Sequence, residues 1–296
     1  MSLPPSEIII RPPIEANSIL IPVTGGCSWN QCRFCGVYKG IQNYAIRPLE
    51  EVIKDIDFFA DSYPNHKWVF LAGGNPTSAP TEYLVKILSH LKNRFKNLQR
   101  LSTYSKALDI VRKTDSELVK LREAGLDIVY MGLESGSKTI LRLMKKGTND
   151  RTIIKIGKRL LNAGIQLSLY VILGLGGYEF SEEHVKETAR VLTEINPTVF
   201  RFRTLNVIPT SPLWEDVQSG KFTVMRPVDI LKEERDIILQ LGPDTTSMVY
   251  NDHISNYCTL NSLDISKDRM KFIDHLNKLI EDPWIQQMEP KWLLHM

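Results

Sequence analysis

The chain has 296 residues, 43% of them hydrophobic and 24% charged, with a formal net charge of +3. That length allows one large α/β domain, with or without an appendage, and the composition is that of an ordinary globular protein rather than a disordered one. A charge so close to balance gives no reason to expect a nucleic-acid partner or an anionic membrane surface.

The opening M-S-L-P-P-S-E-I-I-I-R-P-P holds only a three-residue apolar run hemmed in by prolines, so neither a secretory signal nor a membrane span is expected there. Residues 18–23 form the first β-branched run, a predicted strand. Directly after it comes T-G-G-C-S-W-N-Q-C-R-F-C-G-V-Y-K, which places Cys27, Cys32 and Cys35 within nine residues. The fourth cysteine, Cys258, lies more than two hundred residues away. Few, bunched cysteines argue against a disulfide scaffold and for a reducing compartment, with the cytoplasm as the expectation. A structural zinc site takes four ligands, and an electron-transfer cubane is held by four cysteines. Three clustered thiols leave one corner open, where a substrate or cofactor can bind, and this points to catalysis. A zinc site completed by Cys258 or a histidine is the alternative.

Further along, Val52, Ile53, Ile56 and Ala60 make a helical stripe, as do Leu84, Ile87, Leu88 and Leu91. Predicted strands at 67–71, 98–103, 128–133, 166–173 and 199–206 alternate with such helices. Thr114 and Glu117 form a capping box closed by Gly125. Gly147 and Gly164 mark helix ends, and Ser181 opens another helix. Repeated strand–helix alternation predicts a parallel sheet with right-handed crossovers. The expected fold is α/β: a partial (β/α)6 barrel over 1–210, followed by a mainly helical extension over 211–296 that covers it.

The carboxyl ends of the strands carry the chemistry in such folds. The cysteines follow the first strand. The second ends at Gly73 and Gly74, where the missing Cβ lets backbone approach a ligand. The third ends in Ser102-Thr-Tyr-Ser105, the fourth in Gly132-Leu-Glu134-Ser-Gly136, and the fifth in Ile172-Leu-Gly174-Leu-Gly-Gly177. Together these tips read as a ring of ligand contacts. Taken singly, each has a plainer reading: a tight turn at Gly73-Gly74, a structural carboxylate at Glu134, a strand-end hydroxyl at Ser102.

Here the chain resembles the radical S-adenosylmethionine superfamily, in particular its Elongator-like and HemN-like catalytic domain. The resemblance runs from about Ile14 to Trp214. Most members space their cysteines C-x3-C-x2-C, whereas this chain has C-x4-C-x2-C, like an uncharacterised group reading G-C-x-x-N-x-C-x-F-C-x-x-Y. R-P-P-I-E-A-N-S, G-L-E-S-G-S and K-K-G match that group too. The resemblance implies that Cys27, Cys32 and Cys35 ligate a [4Fe–4S] cluster whose fourth iron chelates S-adenosylmethionine. Phe34 would place backbone near the adenine, Gly73 and Gly74 would bind the methionine ammonium, and Ser102 and Glu134 would contact the methionyl or ribose groups. Ile172 and Val207 would pack on the adenine. Reductive cleavage would give a 5′-deoxyadenosyl radical that abstracts hydrogen from an organic substrate.

Beyond residue 210, Leu231, Ile237, Ile238 and Leu241 suggest one helix, and Met270, Ile273, Leu276 and Ile280 another. Between them lies N-D-H-I-S-N-Y-C, residues 251–258. The group it resembles has N-H-x-S-N-Y-L here, so Cys258 replaces an aliphatic residue and reads as a buried structural thiol. His253 and Asn256 are candidates for substrate contact or proton transfer, or for a polar turn capping the last helix. With no second cysteine cluster, an auxiliary iron–sulfur site and sulfur insertion are not expected. Methylthiotransferase, cobalamin and acetyltransferase modules are not expected either. The expected partners are a small or medium organic substrate and a reductant such as flavodoxin or ferredoxin. The alternative function is a cluster-containing haem chaperone of the HemW type on the same scaffold.

Overall fold

The computed structural model describes residues 10–291, which divide into two compact units: 10–30, 37–131 and 155–167 in the first, 31–36, 132–154 and 168–291 in the second. The first unit begins with a 3-10 turn at Pro13–Glu15. There follow β1 (Ile19–Pro22), β2 (Thr24–Gly25), β3 (Ala45–Ile46), α1 (Leu49–Ser62), β4 (Trp68–Ala72), α2 (Thr81–Arg94), β5 (Arg100–Ser105), α3 (Ala107–Val111), α4 (Asp115–Ala124) and β6 (Ile128–Glu134), whose last residues enter the second unit.

Strands β1, β4, β5 and β6 lie in that order and all pair in parallel, with Leu20 beside Phe70, Phe70 beside Ser102 and Ser102 beside Ile128. A parallel sheet must be covered on both faces, and the alternation shows how. Val69, Leu71, Leu101, Val129 and Met131 are buried on one face. The other carries Phe70, Tyr104 and Tyr130, with Phe70 and Tyr104 edge to face at 5.2 Å. Glu15, fully buried, is compensated there by the Arg100 guanidinium at 3.1 Å and by the Tyr130 hydroxyl, which donates to it at 2.5 Å. The stripes of α1 and α2 are buried as expected, apart from a half-buried Ile53. The Thr114–Glu117 capping box forms, and Gly125 ends α4 at φ +116°.

The second unit adds α5 (Lys138–Leu143), α6 (Asp150–Asn162), β7 (Gln166–Leu173), α7 (Ser181–Ile195), β8 (Val199–Thr204), α8 (Leu213–Gln218), α9 (Pro227–Gln240), β9 (Met248–Tyr250), β10 (Leu263–Asp264), α10 (Ile265–Glu281) and α11 (Pro283–Gln287). Helix α6 and strand β7 each have one end in the first unit. Strands β7, β8 and β9 pair in parallel, and β10 runs antiparallel to β9.

The α/β class and the six predicted strands are the observed ones, each boundary within two residues of its expectation. Two features of the helical extension differ from the sequence reading. Strands β9 and β10 extend the sheet, yet at three and two residues they are too short for any alternation to reveal. Met270 is 62% exposed, and Phe272 fills the core position of α10 instead. Hydrophobicity alone could not tell which of two neighbouring apolar residues faces inward, because the helix start sets the phase.

Candidate cluster and cofactor site

In the first unit the site begins where β1 hands over to the cysteine loop. The base of that loop is closed by the antiparallel pair β2–β3, in which Thr24 lies opposite Ile46 and Gly25 opposite Ala45. Gly26 follows at φ +58°, and Cys27 is a half-buried free thiol. The turn after β4 is packed against this segment. A Cβ on Gly73 would lie 2.0 Å from the Thr24 carbonyl oxygen, and one on Gly74 would lie 2.1 Å from that of Gly26 and 3.0 Å from the Cys27 Cα. Gly73 also sits at φ +120°, a conformation glycine takes without strain. The two glycines thus let the cysteine loop lie directly on the end of β4.

Asn75, fully buried, completes the clamp. Its Oδ1 accepts from the Ser28 N–H at 3.0 Å, and its Nδ2 donates to the Ser28 hydroxyl at 2.9 Å and to Asp109 at 3.0 Å. Lys106 reaches the same Ser28 hydroxyl at 2.5 Å. The residue after Cys27 is therefore fixed through both backbone and side chain. Beside Gly73, the buried Thr24 hydroxyl has no hydrogen-bond partner among the described residues. An orphaned buried donor of this kind is what a polar ligand would satisfy.

In the second unit, the backbone of Arg33 is held at both ends: its N–H donates to the Met144 carbonyl at 3.0 Å, and its carbonyl accepts from Leu213 at 2.9 Å. Its guanidinium pairs with Asp216. Gly36 is pressed against Thr210, whose Oγ1 would meet an added Cβ at 2.3 Å. Cys32 and Cys35, both half-buried and in no disulfide, flank Phe34 in this segment. Phe34, Ile172 and Val207 meet in one apolar cluster with Met144, Leu205 and Trp214. Three residues far apart in sequence are thus brought together on a single apolar surface.

Glu134 ends β6 at φ +63°, a left-handed conformation uncommon outside glycine. Its carboxylate accepts from Lys146 at 2.5 Å, and the same ammonium lies 5.9 Å from the centre of the Phe34 ring. Gly132 makes room for the pair, since a Cβ there would fall 1.8 Å from the Glu134 Oε1. Burial pulls the Lys146 pKa down, but Glu134 and then Cys32 and Cys35 outweigh it, so the ammonium is held above its ordinary range.

The remaining candidates are placed as follows. Ser102 is fully buried in mid-sheet, its hydroxyl 3.5 Å from the Val69 carbonyl. Asn256 is committed to the end of β8: its Oδ1 accepts from the Thr204 N–H at 2.8 Å and its Nδ2 donates to the Phe202 carbonyl at 2.8 Å. His253 accepts through Nδ1 from the Ser255 N–H at 3.2 Å, and burial followed by the Arg203 charge lowers its pKa to about 4. Cys258 is fully buried, and burial, with Glu234 nearby, pushes its thiol up to about 12, which disfavours it as a thiolate ligand. Among the described residues no three His, Cys, Asp or Glu side chains are placed as a ready-made metal site. What fits a cluster is therefore the thiol donor set, its spacing and the supports of its loop. Asn75 and Gly132 lie in strand tips that the sequence marks out, but their own roles, and that of Lys146, were not read from it. Lys146 had a visible trace in the K-K-G triplet, but nothing local links it to Glu134.

Comparison with known proteins gives a match to the radical SAM superfamily model over residues 21–192, more than half of the chain. The chain is 26% identical over 201 residues to the tRNA-2-methylthio-N(6)-dimethylallyladenosine synthase of Baumannia cicadellinicola subsp. Homalodisca coagulata, covering 63% of this chain and 42% of that protein. It is 21% identical over 199 residues to the heme chaperone HemW of Bacillus subtilis (strain 168), covering 64% and 51%. It therefore spans about half the length of these relatives or less. Among solved structures, coproporphyrinogen III oxidase (HemN) from Escherichia coli superposes with a TM-score of 0.57 at 18% identity, covering 75% of this chain and 52% of that one.

Proposed function

The chain belongs to the radical SAM superfamily, and we propose that it is an enzyme in which Cys27, Cys32 and Cys35 hold three irons of a [4Fe–4S] cluster. The family works with that cluster and S-adenosylmethionine, and most of its members are enzymes. Bound here, the two would supply a 5′-deoxyadenosyl radical able to take hydrogen from an organic substrate.

The observation that carries this reading is the support given to a three-cysteine loop: Gly73, Gly74 and Asn75 hold it at Cys27-Ser28, and Arg33 is anchored between Cys32 and Cys35. The backbone carbonyls of Gly73 and Gly74 would accept from the methionine ammonium, with the unpartnered Thr24 hydroxyl alongside. Phe34, Ile172 and Val207 would receive the adenine on their shared apolar surface, excluding water from the nucleoside. The Glu134 carboxylate, aimed by Lys146, would accept from the ribose hydroxyls. Half-exposed cysteines in no disulfide call for a reducing compartment such as the cytoplasm, with a reductant of the flavodoxin or ferredoxin kind as donor. No described helix is long and apolar enough to cross a membrane.

The test is anaerobic reconstitution with iron and sulfide, then dithionite and S-adenosylmethionine, with 5′-deoxyadenosine read by chromatography. The wild type should produce it, and Cys32→Ser should not. Stoichiometric zinc with no cluster would sink the proposal. Likeness to a heme chaperone favours a second reading, delivery of a tetrapyrrole. A Soret shift on haemin titration, with a reducible cluster that never yields 5′-deoxyadenosine, would select it.

A further inference from the structure

Asp109 lies in α3 of the first unit, 34 positions beyond Asn75, and is only 2% exposed. Its Oδ2 accepts from the Asn75 Nδ2 at 3.0 Å and from the Lys106 N–H at 3.3 Å. Thr77, whose hydroxyl donates to Ser105 at 2.7 Å, comes no closer to Oδ2 than 3.4 Å. Oδ1 has no hydrogen-bond partner among the described residues, and the Lys106 ammonium stands 3.8 Å from it. That ammonium donates to the Ser28 hydroxyl at 2.5 Å, and the Asn75 Nδ2 donates to the same oxygen at 2.9 Å. Asp109, Asn75, Ser28 and Lys106 thus close a ring against the residue that follows Cys27.

A primary amide can face either way, and its neighbours decide which. A carboxylate only accepts, so Asp109 draws the NH2 group of Asn75 towards itself. The amide oxygen is then left for the Ser28 N–H, which it meets at 3.0 Å. A neutral amide at position 109 would present either its oxygen or its own NH2 group, and both orientations of Asn75 would find a partner there. Burying a charge that its donors only partly meet is costly, and a neutral group of the same shape would cost less. What the charge adds is a single orientation of the clamp.

We propose that Asp109 is a positioning residue for the cluster: by fixing the Asn75 amide it fixes Ser28, and with it the place from which Cys27 ligates iron. Asp109 acts on Cys27 only through Asn75 and Ser28. Lys106 is the second positioning residue, since it holds the Ser28 oxygen and faces the bare Oδ1. That Cys27 is a ligand rests on the radical-enzyme reading, whereas the ring that holds its neighbour does not.

Hydrogen exchange of the full-length apo-protein reads the Ser28 amide, and anaerobic reconstitution with iron and sulfide reads the ligand. Asp109→Asn should speed Ser28 exchange at least about tenfold and cut iron uptake to less than half, while the Leu88 amide, inside α2, keeps its wild-type rate. A carboxylate that served stability alone would move both amides together. Adding Asn75→Asp again sets one carboxylate against one amide, with the new carboxylate accepting from Ser28, and should recover most of both losses. Lys106→Met changes a side chain that is 20% exposed, should speed Ser28 exchange severalfold, and serves if the Asp109 variants do not fold. A wild-type Ser28 rate in Asp109→Asn or in Lys106→Met overturns the proposal. So does faster Ser28 exchange with full iron uptake, or a double variant that recovers neither. A wild type that takes up zinc and no cluster sinks the radical-enzyme reading instead, and the exchange rates still decide whether Asp109 fixes the loop.

Discussion

Replacing Gly74 by alanine tests whether the turn after β4 sets the position of Cys27. The backbone of Gly74 is not left-handed, so alanine meets no conformational obstacle there, only a steric one. The new methyl carbon would lie 2.1 Å from the Gly26 carbonyl oxygen and 3.0 Å from the Cys27 Cα. Restoring ordinary contact requires the loop to retreat by roughly 1.3 Å, and overpacking of this kind costs about 1–3 kcal/mol. For a chain of this size that lowers the apo-protein Tm by about 2–5 °C. The displaced Cys27 should also reduce iron and sulfide uptake on anaerobic reconstitution to less than half. Gly220→Ala is the control. It sits in open space at φ +73° and should lose about 1 kcal/mol from backbone strain alone, with normal iron uptake. A Gly74→Ala protein with wild-type iron content and a Tm within about 1 °C of wild type would refute the reasoning.

Two other perturbations probe the buried charges. Lys146→Met leaves the Glu134 carboxylate without its ammonium in a site where both side chains are less than a fifth exposed, and it should cost about 3 kcal/mol by denaturant titration. Adding Glu134→Gln to that variant should recover at least half of the loss, and a single-variant cost below about 1 kcal/mol would show that the pair is not structural. Glu234 has its pKa pushed by burial to about 8, against an ordinary 4.5. Its protonated form is the one the fold prefers, so its stability contribution is complete below pH 4.5 and is lost as pH rises through about 8. Glu233, raised by burial to about 7, gives up its share earlier. His184 and His253, lowered by burial to about 3 and about 4, act in the opposite sense, but only up to their ordinary 6.5. The wild-type apo-protein should therefore lose about 1 kcal/mol between pH 7 and 8.5 through Glu234, and Glu234→Gln should flatten that decline. An unchanged slope in the variant would mean that Glu234 is already ionised in the fold.

Much of this protein was legible from local order. The six strands, the Thr114 capping box, the helix ends at Gly125 and Gly164 and the three-cysteine loop depend on periodicity, caps and spacing, all written within a few consecutive residues; Gly147 instead lies beyond the end of α5, which closes at Met144. Membership of the radical SAM superfamily was readable from the same short-range signals, because the three-cysteine motif lies in nine residues. Strands β9 and β10 were not legible, since two or three residues carry no period, and their pairing is fixed only when β8 offers an edge. Nor was the phase of α10, which decided between Met270 and Phe272. The supports of the site were equally hidden. Asn75 meets Ser28 across 47 positions, Lys146 meets Glu134 across 12, and Asp109 meets Asn75 across 34. Such partners are chosen by the sheet register and by which backbone groups are left needing a donor, and neither exists until the strands have paired. The sequence by itself determined which chemistry the loop could hold. Only the tertiary structure decided which side chains would fix that loop in place, and that a buried carboxylate would stand behind the amide that holds it.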